Sequence, residues 1–378
     1  MDFRYSDEQL SLQDTLQKFI AREYTFDRRR ALARAEPGFS REAWQQYAEL
    51  GLLALPYPED AGGLGGNGVD VMIVMEEFGR GLLLEPYLST VVIAGTALVN
   101  VAPTAATRDA LAGVVAGTTL LALAAYEANG RYDLAHVECT ARQDNGRWTL
   151  SGRKAVVLDG PSADHFLVSA RTGGAKADRR GISLFLVPKS AKGIRLYAYP
   201  TQSGGRAADL ELSAVEVGAT ALLGEPGEAL TVLERAVDSG VAALCAEALG
   251  IMTALNQQTL AYLKTRKQFG VPIGTFQALQ HRMADMFIAA EQARSMAIIA
   301  ALHARDEDAV ARRRAVSGAK AYVGEAARFV GQQAVQLHGG MGMVDEHVIS
   351  HYFRRLTTIE LSLGNADFHL GRFSAISA

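Results

Sequence analysis

Cysteine is almost missing from this chain. The two present, Cys139 and Cys245, stand far apart among apolar or small neighbours. That excludes a disulfide framework and a thiolate metal site, and leaves two buried free thiols in a reducing compartment. An excess of charge of either sign is also missing. The formal net charge is -3 with 21% charged residues, so there is no basic footprint and no nucleic-acid partner is expected. Long uninterrupted apolar runs are lacking as well. The stretches at 91–101 and 111–125 are broken by Gly, Thr and Asn or are too short to span a bilayer, and the opening MDFRYSDEQL has no apolar signal core. These absences predict a cytoplasmic protein with no membrane partner.

What is present is a chain of 378 residues, 49% of them hydrophobic, long enough for two or three domains. Helical periodicity dominates up to about residue 118. Ser6 with Gln9 forms a capping box ahead of Leu10, Leu16, Phe19 and Ile20, and Ser40 caps a helix through Trp44 and Tyr47. A Pro- and Gly-rich turn at 56–66 precedes helices at 70–79, 82–101 and 107–115. Short apolar runs then replace the helical spacing, predicting strands at 120–126, 137–142, 147–150, 155–158, 166–170, 182–187, 194–198 and 210–217. Asn145-Gly146 is a hairpin signal, because both residues accept the positive φ of a tight turn. Residues 172–180 form a surface loop whose charges carry no assigned role.

From about residue 229 the 3.6-residue period returns, with helices predicted at 229–266, 275–305, 309–337, 345–355 and 366–375. The predicted fold class is mainly α with a central antiparallel β-barrel: residues 1–118 an N-terminal helical domain, 119–223 the barrel, and 224–378 a C-terminal four-helix bundle.

The stretch at 266–286, RKQFGVPIGTFQALQHRMADM, joins two of these helices. Pro272 forbids a continuing helix and biases Val271 to an extended conformation, and Thr275 stands where it would cap the next one. Arg266 and Phe269 then lie side by side at a helix end, which suits a phosphate ester carrying a planar heterocycle. An ordinary helical hairpin with a surface Arg and a core Phe satisfies the same pattern.

This stretch resembles the R-x-x-F-G...Q-x-x-Q-x-x-L/M-A-D-M signature of the acyl-CoA dehydrogenase family, and QLHGGMGM at 336–343 resembles that family's Q-I-H-G-G-x-G segment. PEDAGGLGG at 58–66 and VMEEFGRG at 74–81 extend the likeness along the chain. The resemblance implies FAD-dependent α,β-dehydrogenation of an acyl-CoA thioester, with electrons leaving to an electron-transfer flavoprotein or to oxygen. Such chemistry needs a carboxylate base at the α-carbon, donors on the thioester oxygen and a flavin to accept hydride. It further implies that Arg266, Phe269, Gln336, Gly339 and Gly340 contact the nucleotide end of a neighbouring subunit's FAD.

The departures fall on the other half of the site. The family's usual base position is occupied by Leu363, followed by Gly364 and Asn365, and the alternative position, two residues after Asp238, by Gly240. The family's T-E-P-x-x-G-S-D segment is represented by residues 126–133, with Arg131 and Tyr132 where small residues stand. In the segment 154–160, Val156 replaces the indole that packs on flavin and Leu158 the hydroxyl that bonds its N5. No catalytic residue is therefore assigned.

Glu247, two helical turns or roughly 10 Å beyond Gly240, is the candidate replacement base. Glu360 and Asp367 are read as salt-bridge or capping residues. His338, His347 and His351 are read as structural, since no carboxylate or Cys completes a metal ligand set. A finer likeness of AEALG, VVLDGPSADHFLVSAR and HGGMGMVDEHVISHYFRRL is to the small, base-lacking subunits of heteromeric acyl-CoA dehydrogenases acting on dicarboxylic or steroid-side-chain thioesters. Three readings stand: a subunit that completes the FAD site of a catalytic paralogue, a self-sufficient homo-oligomeric FAD enzyme with a relocated base, and a flavin-free scaffold.

Overall fold

The computed structural model describes residues 4–377; Met1 to Phe3 of the opening segment lie outside it. Helices α1 (Asp7–Glu23), α2 (Phe26–Arg34), α3 (Arg41–Glu49) and α4 (Gly68–Gly81) come first. A π-helical stretch Tyr87–Ala94 then runs into α5 (Gly95–Val99), followed by α6 (Ala105–Val115). Ser6 and Gln9 close the expected capping box, and Ser40 accepts the Ala43 N–H at the start of α3. Helix α2 was not anticipated, because its only buried residue is Arg29 and it carries no apolar stripe.

The strands are β1 (Leu121–Ala124), β2 (Thr140–Asp144), β3 (Arg147–Leu158), β4 (His165–Arg171), β5 (Ile182–Pro188), β6 (Ile194–Pro200), β7 (Arg206–Gly218) and β8 (Leu222–Leu223). After them come α7 (Leu230–Thr265), a small hairpin of β9 (Lys267–Gln268) and β10 (Val271–Pro272), and the helices α8 (Gln277–His303), α9 (Ala309–His338), α10 (Val348–Leu361) and α11 (Ala366–Ser377). The helical first third, the middle β-sheet and the helical last third agree with expectation. Helix α7 is long and apolar enough to cross a bilayer, but 94% of its most apolar window is buried within the protein.

The closed antiparallel barrel is corrected. The sheet is open, in the order β6-β7-β3-β2-β4-β5-β8, and β1 pairs with β4 in parallel. Closure would require the two edge strands to exchange a ladder of hydrogen bonds, and β8 offers only two residues. Strand β3 is one element where two runs were expected, since its pairing with β7 slips between Leu150 and Gly152 and again between Lys154 and Val157. Each bulge shifts the alternation by one residue and hides the continuity. The Asn145-Gly146 turn is as expected, at φ 47° and 75°.

The chain divides into two compact units. One gathers the chain up to Arg30, Asn67–Leu83 and the chain from Val241; the other holds Ala31–Gly66 and Leu84–Gly240. In the second unit the sheet buries Leu150, Phe166, Leu184 and Phe185, with Trp148 edge-on to Phe185 at 5.3 Å. In the first unit α4 and α7 pack backbone to backbone. A Cβ on Gly79 would stand 2.1 Å from the Glu247 carbonyl oxygen, and one on Gly250 1.9 Å from that of Glu76, so each helix needs a glycine where the other crosses it. Among the described residues the five expected helices follow the sheet, and α9 packs against α8, α10 and α11.

Candidate functional site

The link after α7 is built by local chemistry. Phe269 and Gly270 have φ 54° and 81°, so they form a two-residue turn of the mirror-image kind, closed by pairing of Gln268 with Val271. Thr275 does not cap α8. Its hydroxyl donates to the Pro272 carbonyl at 2.8 Å, and Phe276 occupies the N-cap; the one-turn helix Ile273–Thr275 displaces the start of α8 past it.

Phe269 is 91% exposed, so the core-Phe alternative fails. Its ring touches Phe276 edge-on, with centroids 6.1 Å apart. A bulky side chain in the left-handed region costs roughly 1–2 kcal/mol, and here that strain presents a ring to the outside of the chain. Arg266, at the end of α7, is exposed, and its guanidinium has no hydrogen-bond or ion-pair partner among the described residues.

The second arm is the end of α9. Gln336 is exposed, His338 is buried, and Gly339 leaves the helix with φ 61°. A Cβ added at Gly339 or Gly340 would meet nothing within 4 Å, so this backbone is open to an approaching group. The two arms belong to the same unit and are joined by the rings of Tyr262 and His338, stacked at 4.5 Å with planes 25° apart. Cationic, aromatic and bare backbone groups gathered at two helix ends can hold an anionic ester next to a flat ring system.

The Leu363 position is also well defined. Leu363 is buried at φ 56°, and Gly364 follows at φ 114°. From beneath, buried Lys320 donates to the carbonyls of Glu360 (2.9 Å) and Gly364 (2.7 Å), and His369 Nε2–H donates to that of Leu363 (3.0 Å). Burial pulls the Lys320 ammonium down to about 8, while burial and the nearby Lys320 take His369 to about 3. The turn is thus tightly framed, yet its side chain cannot take a proton.

Glu247 is almost fully buried and gripped at both oxygens by Arg355, at 2.5 and 2.7 Å. Its lone pairs are committed, which opposes use as a base. Asp238 is buried and Gly240 offers no side chain. Glu360 accepts from Arg328 at 3.0 Å and from the Ala366 N–H at 3.2 Å, and Asp367 is exposed in the first turn of α11.

His347 caps α10 by accepting the Ile349 N–H. His351 accepts from Arg29 at 2.9 Å and donates to the Asp345 carbonyl at 2.9 Å. Cys139 and Cys245 are free and buried, their thiols pushed up by burial to about 11 and about 12. They are poor nucleophiles in that state.

In the sheet unit, Lys154 and Glu127 form a buried pair at 2.7 Å, with Lys154 also donating to Ser169. Within the second bulge Val156 is 54% exposed at φ 53°, its N–H bound to Asp209 at 2.9 Å. A β-branched residue in this region is a true outlier. Because little of Val156 is buried, Val156→Asn should stabilise the chain by about 1 kcal/mol, read as a higher urea midpoint. An unchanged or lower midpoint would show that the bulge is not strained. Leu158 is half-buried beside its partner Ala207, while Arg131 is exposed at φ 48° and Tyr132 is half-buried.

The comparisons agree along the whole chain. The N-terminal, middle and C-terminal domain families of acyl-CoA dehydrogenase match residues 6–118, 122–216 and 230–375. The chain belongs to the acyl-CoA dehydrogenase family, whose reaction is FAD-dependent dehydrogenation of acyl-CoA thioesters.

Among its relatives is the probable acyl-CoA dehydrogenase YngJ of Bacillus subtilis, 28% identical over 97% of both chains. Another is acyl-CoA dehydrogenase FadE27 of Mycobacterium tuberculosis, 29% identical over 98% of this chain and 97% of that one. Similar solved structures include the Tcur3481-Tcur3483 steroid acyl-CoA dehydrogenase, 34% identical over 98% of each chain with a TM-score of 0.87. The ChsE4-ChsE5 complex of Mycobacterium tuberculosis is 28% identical over 99% of this chain and 98% of that one, with a TM-score of 0.88.

Proposed function

We propose that this chain is a non-catalytic subunit of a heteromeric acyl-CoA dehydrogenase, completing the nucleotide end of an FAD site whose chemistry belongs to a catalytic paralogue. One observation carries the reading: Phe269 is held at a strained φ and 91% exposed, near an Arg266 guanidinium with no partner among the described residues and the open Gly339-Gly340 backbone, while Leu363 and Gly240 stand at the base positions. Strain that serves nothing inside the chain is kept for something outside it.

When bound, FAD supplies the hydride acceptor. Arg266, Phe269, Gln336, Gly339 and Gly340 fit its nucleotide end, since they offer a cation, a ring and uncovered backbone. The residues at the ring end, Val156 and Leu158, offer neither a stacking indole nor a hydroxyl. Both similar complexes named above carry two protein names, and one is a steroid enzyme, which makes a steroid-side-chain thioester the first acyl-CoA to test.

Surface chemistry supports assembly. Between α7 and α8 lies an open apolar cavity of about 850 Å³ lined by Leu260, Leu263, Met283 and Phe287, and α8 also exposes Ile288 and Leu302. An exposed apolar groove of this kind marks an interaction site. The self-sufficient alternative loses its candidate base, because Glu247 is committed to Arg355.

Flavin absorbance separates the readings. The purified chain alone should be colourless, and the co-purified complex with its catalytic paralogue yellow. Stoichiometric flavin on the chain alone would refute the subunit reading.

Phe269→Asn adds a second test. An Asn-Gly turn removes the strain, so the isolated chain should gain about 1 kcal/mol while FAD retention by the complex weakens. A variant that is more stable and retains FAD normally would remove Phe269 from the site.

A further inference from the structure

Arg266 and the Gly339-Gly340 backbone come from helix ends far apart in sequence, and a ligand bound by both requires their separation to be fixed. We infer that Tyr262 and His338 are positioning residues that set this separation through their stacked rings. The inference rests on the proposed function above, since the ligand is the nucleotide end of FAD.

Tyr262 lies one helical turn before Arg266, whose backbone N–H donates to the Tyr262 carbonyl at 2.8 Å. His338 immediately precedes Gly339, at the last turn of α9. The rings meet at 4.5 Å with planes 25° apart, so each ring is one residue or one turn from a binding group. The His338 ring is itself fixed, because Nδ1–H donates to the Ala334 carbonyl at 2.8 Å. Burial holds this imidazole below its usual pKa, hence neutral. His347, the cap of α10, also approaches the His338 ring, to 5.4 Å between centroids with planes 55° apart.

Three rings therefore join the ends of α7 and α9 to the start of α10. Flat faces fix distance and tilt together, which a branched aliphatic contact does not. Binding groups must be held to within about 0.5 Å to act as one site.

The test uses the reconstituted complex with FAD as the probe, followed by flavin fluorescence, with circular dichroism reporting folding. Tyr262→Leu and His338→Leu keep apolar bulk and remove the stack; each should weaken FAD retention about tenfold at temperatures where the dichroism is native. Tyr262→Phe keeps the ring face and should retain FAD within about twofold of wild type. Wild-type retention by both leucine variants overturns the inference. So does a loss that only tracks the unfolded fraction, or a Tyr262→Phe variant as weak as Tyr262→Leu. Arg266→Ala in the same assay keeps the two proposals apart. If it releases FAD and the leucine variants do not, only the positioning role fails; if it too is silent, the FAD reading fails.

Discussion

The isolated chain is expected to dehydrogenate acyl-CoA thioesters about 10²- to 10⁴-fold more slowly than a catalytic paralogue assayed beside it, the usual cost of losing a general base. The reaction cannot begin until the α-proton has somewhere to go. Leu363 accepts none, Gly240 has no side chain, both oxygens of Glu247 are held by Arg355, and Glu360 is occupied by Arg328 and the Ala366 N–H. The turn at Leu363 is not collapsed, since Lys320 and His369 hold three of its carbonyls. The turn is firmly framed but carries no carboxylate at Leu363. Steady-state turnover with a series of acyl-CoA thioesters, a steroid-side-chain thioester among them, is the measurement. Turnover comparable to the paralogue would sink the subunit reading, and Glu247→Gln, which keeps shape and removes basicity, would then show whether that carboxylate leaves Arg355 to act.

Arg266→Ala is expected to weaken FAD retention by the assembled complex roughly tenfold to a hundredfold. A charge-assisted hydrogen bond to a phosphate contributes about 1.5–3 kcal/mol, and Arg266 has no competing partner among the described residues. The same isolation means that the substitution should leave the fold of the single chain nearly unchanged, because an exposed side chain at a helix end contributes little packing. Substituting Leu158 or Val156 should leave FAD retention unaltered, since neither offers the ring or hydroxyl that a flavin ring system uses. Fluorescence titration of FAD with each reconstituted variant gives the answer. If Arg266→Ala is silent and Leu158 variants release flavin, the cofactor belongs to this chain's own sheet unit, and the self-sufficient enzyme becomes the better account.

Local order was legible wherever a residue acts on its neighbours. The capping box of Ser6 and Gln9, the Asn145-Gly146 turn and the long helices α7 and α9 follow from spacing and backbone preference alone. The hairpin before α8 was half legible. Pro272 announced the break, but a two-residue turn centred on Phe269-Gly270 was not foreseen, because Phe is rarely found at positive φ. Helix α2 and the second half of β3 were hidden for related reasons: one buries an arginine in place of an apolar stripe, and the other breaks the two-residue alternation at its bulges.

The sequence by itself determined which chemical groups this protein owns. No carboxylate stands at 363 or 240, no aromatic at 156 and no hydroxyl at 158, and no folding can supply a missing functional group. The tertiary structure decided what the remaining groups are free to do. Glu247 is committed by an arginine 108 residues away, and Phe269 is turned outward on a strained hairpin. Arg266 and Gly339-Gly340 share one region through a ring stack, and the sheet stays open because β8 has only two residues to offer. The grip on Glu247 and the ring stack join segments far apart in sequence, and spacing and periodicity report only on near neighbours.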